Sequence, residues 1–138
     1  MNTAYTFRKT ERLSLKKDID TLFNEGASFN LTPFKVFYMV QIRGEDVPVK
    51  VLIGIPKKKI RLAVNRNRLR RQIKEAYRLH KHLLIDRMKS HTGSLHIGFV
   101  YARDRSDIAF TELENQMISC LERLGRNITG GNDQVAEK

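Results

Sequence analysis

The sequence has a single cysteine, Cys120, and no long run of apolar side chains. One cysteine excludes an internal disulfide and a cysteine-rich metal cage. No run approaches the ~20 apolar residues that span a bilayer, and residues 1–10 lack the apolar core of a secretory signal. We therefore expect a cytoplasmic protein with no membrane partner.

Groups that carry out catalysis are also scarce. The histidines are His80, His82, His91 and His96. The first two are two residues apart on an expected helix, so their rings point apart and make a poor metal pair. A metal-dependent nuclease needs clustered carboxylates, and the nearest pair, Asp104 and Asp107, lies among arginines in an expected charged loop. We assign no catalytic side chain and no metal site to the protein.

The length and composition fit one folded domain. A chain of 138 residues with 41% hydrophobic residues can bury a core. We divide it into an extended arm at 1–13, a single domain at 14–125 and a flexible tail at 126–138. Nothing in the sequence indicates an internal repeat or an interdomain linker.

The first half predicts a helix followed by strands. A helix capped by Ser14 carries an apolar stripe and stops at Gly26, and residues 28–30 form a brief strand. Residues 34–42 and 49–55 read as two longer strands, joined through a turn at 43–46 into an antiparallel hairpin. The stripe of the helix consists of Leu15, Ile19, Leu22 and Phe23.

The strand at 34–42 has two different faces. One face suits a core and carries Phe34, Val36, Tyr38, Val40 and Ile42. The opposite face is mixed, which indicates a wet surface that bears an aromatic side chain. It carries Lys35, Phe37, Met39 and Gln41.

The second half predicts two helices around one strand. A long helix runs from Leu62 to about Met88, a loop spans 90–94, and a strand spans 95–101. The last helix starts near Thr111, which forms a capping box with Glu114, and ends at Gly125. The long helix is amphipathic, and its apolar seam consists of Leu69, Ile73, Ala76, Tyr77, His80 and Leu84. The inner face of the last helix consists of Phe110, Leu113, Met117, Cys120, Leu121 and Leu124.

Positive charge is concentrated in one stretch. Residues 57–81 hold eleven Lys and Arg side chains and one acid, Glu75, so they account for ten of the eleven net positive charges. Such a patch attracts polyanions. The helical part begins with Arg66, Asn67 and Arg68, near a helix N-terminus that itself favours anions. The alternative is a merely solvated helical face, but a helix built for solubility usually intersperses acids.

The same residues resemble a known family. Arg66-Asn67-Arg68, followed by Arg70-Arg71 and Lys74, resembles the Arg-Asn-Arg motif of the bacterial ribonuclease P protein. Supporting segments are Phe7 with Glu11-Arg12-Leu13, Leu22-Phe23-Asn24-Glu25-Gly26, Pro56-Lys57-Lys58-Lys59 and Ala63-Val64, so that the likeness covers roughly residues 7–124. Two departures are Lys74, where Arg is more usual, and Leu62, where a small or polar residue is common.

The resemblance implies an α+β fold of the order α-β-β-β-α-β-α. It implies a mixed four-stranded sheet whose long basic helix makes a left-handed crossover, although the general handedness rule predicts the opposite hand.

The resemblance also implies two RNA surfaces. The basic helix would bind the catalytic RNA subunit, with Lys57, Lys58 and Lys59 extending the contact. A cleft between the first helix and the sheet would hold the 5′ leader of precursor tRNA, and the sequence offers Phe23, Lys35, Phe37 and Met39 for it. Phe23 fits core and cleft equally, whereas Phe37 favours the cleft.

The implied activity is tRNA 5′ maturation by the ribonuclease P holoenzyme. The RNA would supply catalysis and hold most of the Mg²⁺, and no obligate protein partner is expected. The main alternative is a non-enzymatic ribosomal or chaperone-like RNA-binding protein. A helix-based DNA reader is disfavoured by the strands that flank the basic helix, and a stand-alone nuclease by the scarcity of carboxylates.

Overall fold

A computed structural model describes residues 9–41, 47–88 and 93–129 of the chain. After a 3₁₀ turn at Lys9–Glu11 come eight further elements. The helices are α1 (Lys16–Glu25), α2 (Ala63–His80), α3 (His82–Met88) and α4 (Phe110–Thr129). The strands are β1 (Ala27–Leu31), β2 (Phe34–Gln41), β3 (Val49–Gly54) and β4 (Ser94–Tyr101).

The four strands form one mixed sheet in the order β1-β2-β4-β3. β1 pairs antiparallel with β2, β2 antiparallel with β4, and β3 parallel with β4. The expected α+β class and mixed four-stranded sheet are confirmed. The expected hairpin between residues 34–42 and 49–55 is wrong, because β4 lies between those strands. The hand of the crossover from β3 to β4 stays a prediction.

The core lies on the face of the sheet that α2 and α4 cover. Alternate residues of β2, Phe34, Val36 and Tyr38, are buried there, since side chains along a strand alternate between its faces. The ring centroid of Phe99 on β4 lies 5.7 Å from that of Phe34 on β2 and 6.3 Å from that of Tyr77 on α2. The expected apolar seam of the long helix and inner face of the last helix are confirmed as largely buried.

The opposite face of the sheet carries α1. Leu22 of α1 is fully buried there. It packs closely on Gly98 of β4, since a Cβ atom at Gly98 would lie 3.3 Å from Cδ2 of Leu22. Gly26 ends α1 as expected, with φ of −77°. A side chain at this position would lie 2.6 Å from the carbonyl oxygen of Leu22, so glycine is needed for a close approach of backbones. Leu15 does not join the stripe, since it is 62% exposed.

Several expected helix ends are wrong. Leu15, rather than Ser14, is the N-cap of α1, and no side chain caps it. α4 begins at Phe110 and continues past Gly125 to Thr129. Glu114 therefore makes no capping box with Thr111, and its carboxylate lies 2.8 Å from Nε2 of His80 instead.

The expected long helix is divided at Lys81, between α2 and α3. The side chain of Lys81 is 3% exposed, and its Nζ lies 2.6 Å from Oε1 of Glu11. Leu13 donates its N–H to the carbonyl oxygen of Val51, next to a parallel bridge between Arg12 and Val51. The described end of the N-terminal arm is thus tied both to β3 and to the helix junction. Residues 1–8, 42–46, 89–92 and 130–138 lie outside the described parts, and with them most of the expected arm and tail, the turn at 43–46 and Ile42.

Candidate nucleic-acid interface

The basic surface starts at the N-terminus of α2. The N-cap residue of α2, Leu62, makes no side-chain capping bond, and the first turn of this helix holds no acid. The backbone N–H groups at the start of a helix lack intrahelical partners and carry partial positive charge. Lys57, Lys58 and Lys59 are exposed in the loop that leads into this turn. This end of the helix is therefore a strongly positive, uncompensated region.

Arg66 is turned back toward that loop. Its Nη1 donates to the carbonyl oxygens of Ile60 and Arg61 at 3.0 and 2.7 Å. The guanidinium thus ties the first turns of α2 to the segment that follows the three lysines. Arg66 keeps its charge, but part of its donor capacity holds the protein's own backbone.

Neighbouring side chains hold Arg68 and Arg70 without neutralising them. Nη1 of Arg68 donates to Oδ1 of Asn65 at 3.2 Å, and Nη1 of Arg70 donates to Oδ1 of Asn67 at 3.1 Å. Arg68 also reaches the carbonyl and hydroxyl oxygens of Ser106, at 3.3 and 3.2 Å. Neutral acceptors orient a guanidinium while its charge stays available, and its remaining N–H groups can meet phosphate.

Arg12, which the sequence alone did not assign to the site, lies close enough to Lys74 on α2 to act on its charge. The pKa of Lys74 is lowered, first by partial burial and then by the charges of Arg12 and Arg70. Arg12 is exposed and lies next to the bridge with Val51. Its charge therefore joins those of Arg70 and Lys74. Its distance in sequence from residues 57–81 hid this role, although it belongs to one of the family-like segments.

Several acids of the described residues pair with bases other than those proposed to contact RNA. Three ion pairs show this. The carboxylate of Glu75 lies 2.6 Å from the guanidinium of Arg78. The corresponding distances are 3.2 Å for Glu112 and Arg103 and 2.7 Å for Asp107 and Arg105. Within residues 9–41, 47–88 and 93–129, no carboxylate pairs with the five basic side chains proposed on the helix. These are Arg66, Arg68, Arg70, Arg71 and Lys74. Their charge remains available to a polyanion.

The second expected site lies between α1 and the sheet. The rings of Phe23 on α1 and Phe37 on β2 meet edge to face, with centroids 4.6 Å apart. Lys35 places its Nζ 5.3 Å from the centroid of Phe37, within the range of a cation–π contact. Phe37 pairs with Gly98, and a Cβ there would lie 3.4 Å from Cζ of Phe23. The missing side chain leaves room for this aromatic pair.

The apolar side chains expected in the cleft are partly buried, and the lysine is exposed. Phe23, Phe37 and Met39 are all half-buried, and Lys35 is exposed. Met39 lies on the same face of β2 as Lys35 and Phe37. The structure brings the aromatic pair and the lysine into contact at one edge of α1. Phe23 is only half-buried, whereas its neighbour Leu22 is fully buried.

Groups suited to hydrolysis remain sparse. In the parts of the chain that the structure describes, no three His, Cys, Asp or Glu side chains lie close enough to hold a metal ion. Burial raises the pKa of the Cys120 thiol to about 12, which keeps it protonated. A hydrogen bond from Arg105 lowers the pKa of Asp107, as in an ordinary surface ion pair.

None of the described helices is both long enough and apolar enough to cross a bilayer.

Known proteins match this chain over most of its length. The model of the family described as Ribonuclease P matches residues 7–125. A protein of Porphyromonas gingivalis named "Ribonuclease P protein component" is 36% identical over 93% of this chain and 94% of its own length. A protein of the same name from Chlorobium phaeobacteroides is 34% identical over 89% of this chain and 88% of its own.

The fold also resembles those of solved ribonuclease P proteins. The structure of the ribonuclease P protein from Thermotoga maritima superposes with a TM-score of 0.64 at 24% identity, over 82% of this chain and 96% of that one. A structure of the Staphylococcus aureus protein gives 0.63 at 22% identity, over 83% and 94%. Together with the sequence matches, these findings show that the chain belongs to the family of ribonuclease P protein components.

Proposed function

We propose that the chain assembles with the RNA of ribonuclease P and helps to remove the 5′ leader of precursor tRNA. The observation that carries this proposal is the set of un-neutralised bases on the rigid helix α2. A guanidinium binds phosphate through several donors, and holding it on a helix reduces the entropy that binding costs. The proposed contacts are Arg66, Asn67, Arg68, Arg70, Arg71 and Lys74, extended by Lys57, Lys58 and Lys59.

The cleft between α1 and the sheet would receive the single-stranded leader. Aromatic rings stack on bases of any sequence, and lysine follows the backbone charge. Phe23, Phe37, Lys35 and Met39 offer these two chemistries side by side. Such a cleft suits a set of precursors whose leaders differ in sequence.

The protein and the RNA would have different roles in this enzyme. The side chains of the described parts supply binding, so we assign bond cleavage to the RNA and place Mg²⁺ mainly on its phosphates. The holoenzyme would be a tRNA-processing endoribonuclease of the cytoplasm, where precursor tRNA is available, with no obligate second protein.

Reconstitution tests this assignment. At low Mg²⁺, the protein mixed with ribonuclease P RNA and precursor tRNA should accelerate 5′ cleavage over the RNA alone, because the bound protein neutralises phosphate and retains the substrate. Gel separation of the cleaved leader measures the rate. Binding of the RNA without acceleration would support the ribosomal or chaperone-like alternative, and cleavage by the protein alone would revive the stand-alone nuclease.

Salt dependence tests the contact on α2. Arg68→Ala should weaken binding to ribonuclease P RNA and reduce the slope of log K against log salt by about one unit, since one phosphate contact releases about one counterion. Filter binding at several salt concentrations measures the slope. Arg126→Ala is the matched control, because this exposed arginine lies in the last turn of α4. Equal changes in slope for both variants would contradict a local contact at α2.

A further inference from the structure

A shallow groove of about 470 Å³ lies between α2 and the start of α4. This size falls within the range of small-ligand sites. The loop before α4 is held in place on this side, because Arg68 bonds to both oxygens of Ser106. We call this site the α2–α4 groove, and its lining residues are Arg68, Arg71, Gln72, Glu75 and Phe110.

The charges around the groove favour an anionic ligand. Arg68 and Arg71 are exposed at its edge, and Arg71 forms no hydrogen bond or ion pair with residues 9–41, 47–88 or 93–129. The one carboxylate, Glu75, is engaged by Arg78 at 2.6 and 3.0 Å. That pairing lowers the pKa of Glu75 and offsets its repulsion of phosphate.

The floor of the groove offers the chemistry of a base site. Phe110 lines the groove and is half-buried, so part of its side chain is accessible for a base to stack on. Oε1 of Gln72 is enclosed and accepts no hydrogen bond within the described residues. An enclosed acceptor without a donor is costly, and a ligand that draws the amide toward the groove would relieve that cost.

We propose that the α2–α4 groove binds one unstacked adenine nucleotide of the RNA partner. The ring of Phe110 stacks on the base, and the amide of Gln72 pairs with N6 and N7, the bidentate arrangement that glutamine makes with adenine. Arg68 and Arg71 hold the adjoining phosphate. The proposal rests on the proposed function for its RNA partner and adds base recognition at a site separate from the cleft of Phe23 and Phe37.

The test uses isotope-labelled full-length protein and nuclear magnetic resonance. AMP, UMP and ribose 5-phosphate are titrated separately, and the signals of the Gln72 side-chain amide are followed. AMP should bind about fivefold tighter than UMP or more, which is the least that one bidentate pair contributes. Ribose 5-phosphate should not shift the Gln72 amide. Equal shifts from AMP and ribose 5-phosphate would overturn the proposal.

Variants localise the effect. Phe110→Leu keeps apolar volume and should weaken AMP binding about fivefold through the lost stacking. Gln72→Met removes the enclosed oxygen, so it should leave folding intact and abolish the preference for AMP over UMP. Phe23→Leu, in the other cleft, is the control and should change neither. If Phe23→Leu removes AMP binding while Phe110→Leu and Gln72→Met do not, the base lies in the cleft and the groove proposal is wrong.

The reconstituted cleavage assay separates this proposal from the proposed function. Unchanged AMP binding by Phe110→Leu and Gln72→Met, while the unmodified protein accelerates leader removal, would refute the groove alone. No acceleration by the unmodified protein would refute the proposed function, whatever the titrations show.

Discussion

Glu11→Ala should lower the free energy of unfolding by about 3–5 kcal/mol, the range for removing one partner of a buried ion pair. The side chain of Lys81 is 3% exposed and that of Glu11 12% exposed, with Nζ and Oε1 2.6 Å apart. Removal of the carboxylate takes away a counter-charge that lies 2.6 Å from this enclosed ammonium. Urea denaturation measures the change as a shift of the midpoint at unchanged slope.

Two controls define this prediction. Asp20→Ala breaks the exposed pair between Asp20 and Lys16, whose atoms are 2.9 Å apart, and should leave the urea midpoint nearly unchanged, because solvent screens such a pair. The double variant Glu11→Leu with Lys81→Met removes both charges and should recover most of the lost stability. A loss below about 1 kcal/mol for Glu11→Ala would mean that the junction of α2 and α3 does not depend on this carboxylate.

Phe37→Leu should weaken binding of precursor tRNA to the reconstituted holoenzyme about 5- to 150-fold, the equivalent of one stacked base. In the unmodified protein the ring centroids of Phe23 and Phe37 are 4.6 Å apart. Leucine at position 37 keeps an apolar contact with Phe23 but offers no aromatic face for a base. Competition binding with labelled precursor measures the affinity. Mature tRNA lacks the leader and should bind the variant and the unmodified protein equally.

Unequal effects on the two RNAs are the signature of a leader site. The same loss for precursor and mature tRNA would contradict leader binding by the cleft and point to a general defect. Tyr38→Phe provides a matched control on the other face of β2, where the hydroxyl of Tyr38 accepts a hydrogen bond from Asn127 at 3.1 Å. It should leave the ratio of the two affinities unchanged.

Periodicity predicted which residues would be buried better than it predicted which elements would meet. Leu69, Ile73, Ala76 and Tyr77 are all buried along α2, because a helical stripe is encoded within a few turns. The hairpin expected for residues 34–42 and 49–55 failed, since alternation specifies the faces of a strand but not its neighbours. β4, which begins forty residues after the end of β3, lies between the two strands.

Helix ends were predicted least well, because contacts distant in sequence overrode local signals. Glu114 was expected to cap α4 but pairs with His80, 34 residues away. The long helix was expected to be continuous but divides at Lys81, whose partner Glu11 lies 70 residues away. In both places a polar side chain met a partner that only the folded chain provides.

The sequence by itself determined that one stretch carries nearly all the net charge and that an apolar seam runs beneath it. Both properties depend on the order of neighbouring residues. Only the tertiary structure decided how several of these cations are used: Arg68 bonds to Ser106, Lys81 pairs with Glu11, and Arg71 faces solvent. The physical reason is that charge and period are summed along the chain, whereas hydrogen-bond partners and desolvation depend on distances that folding alone creates.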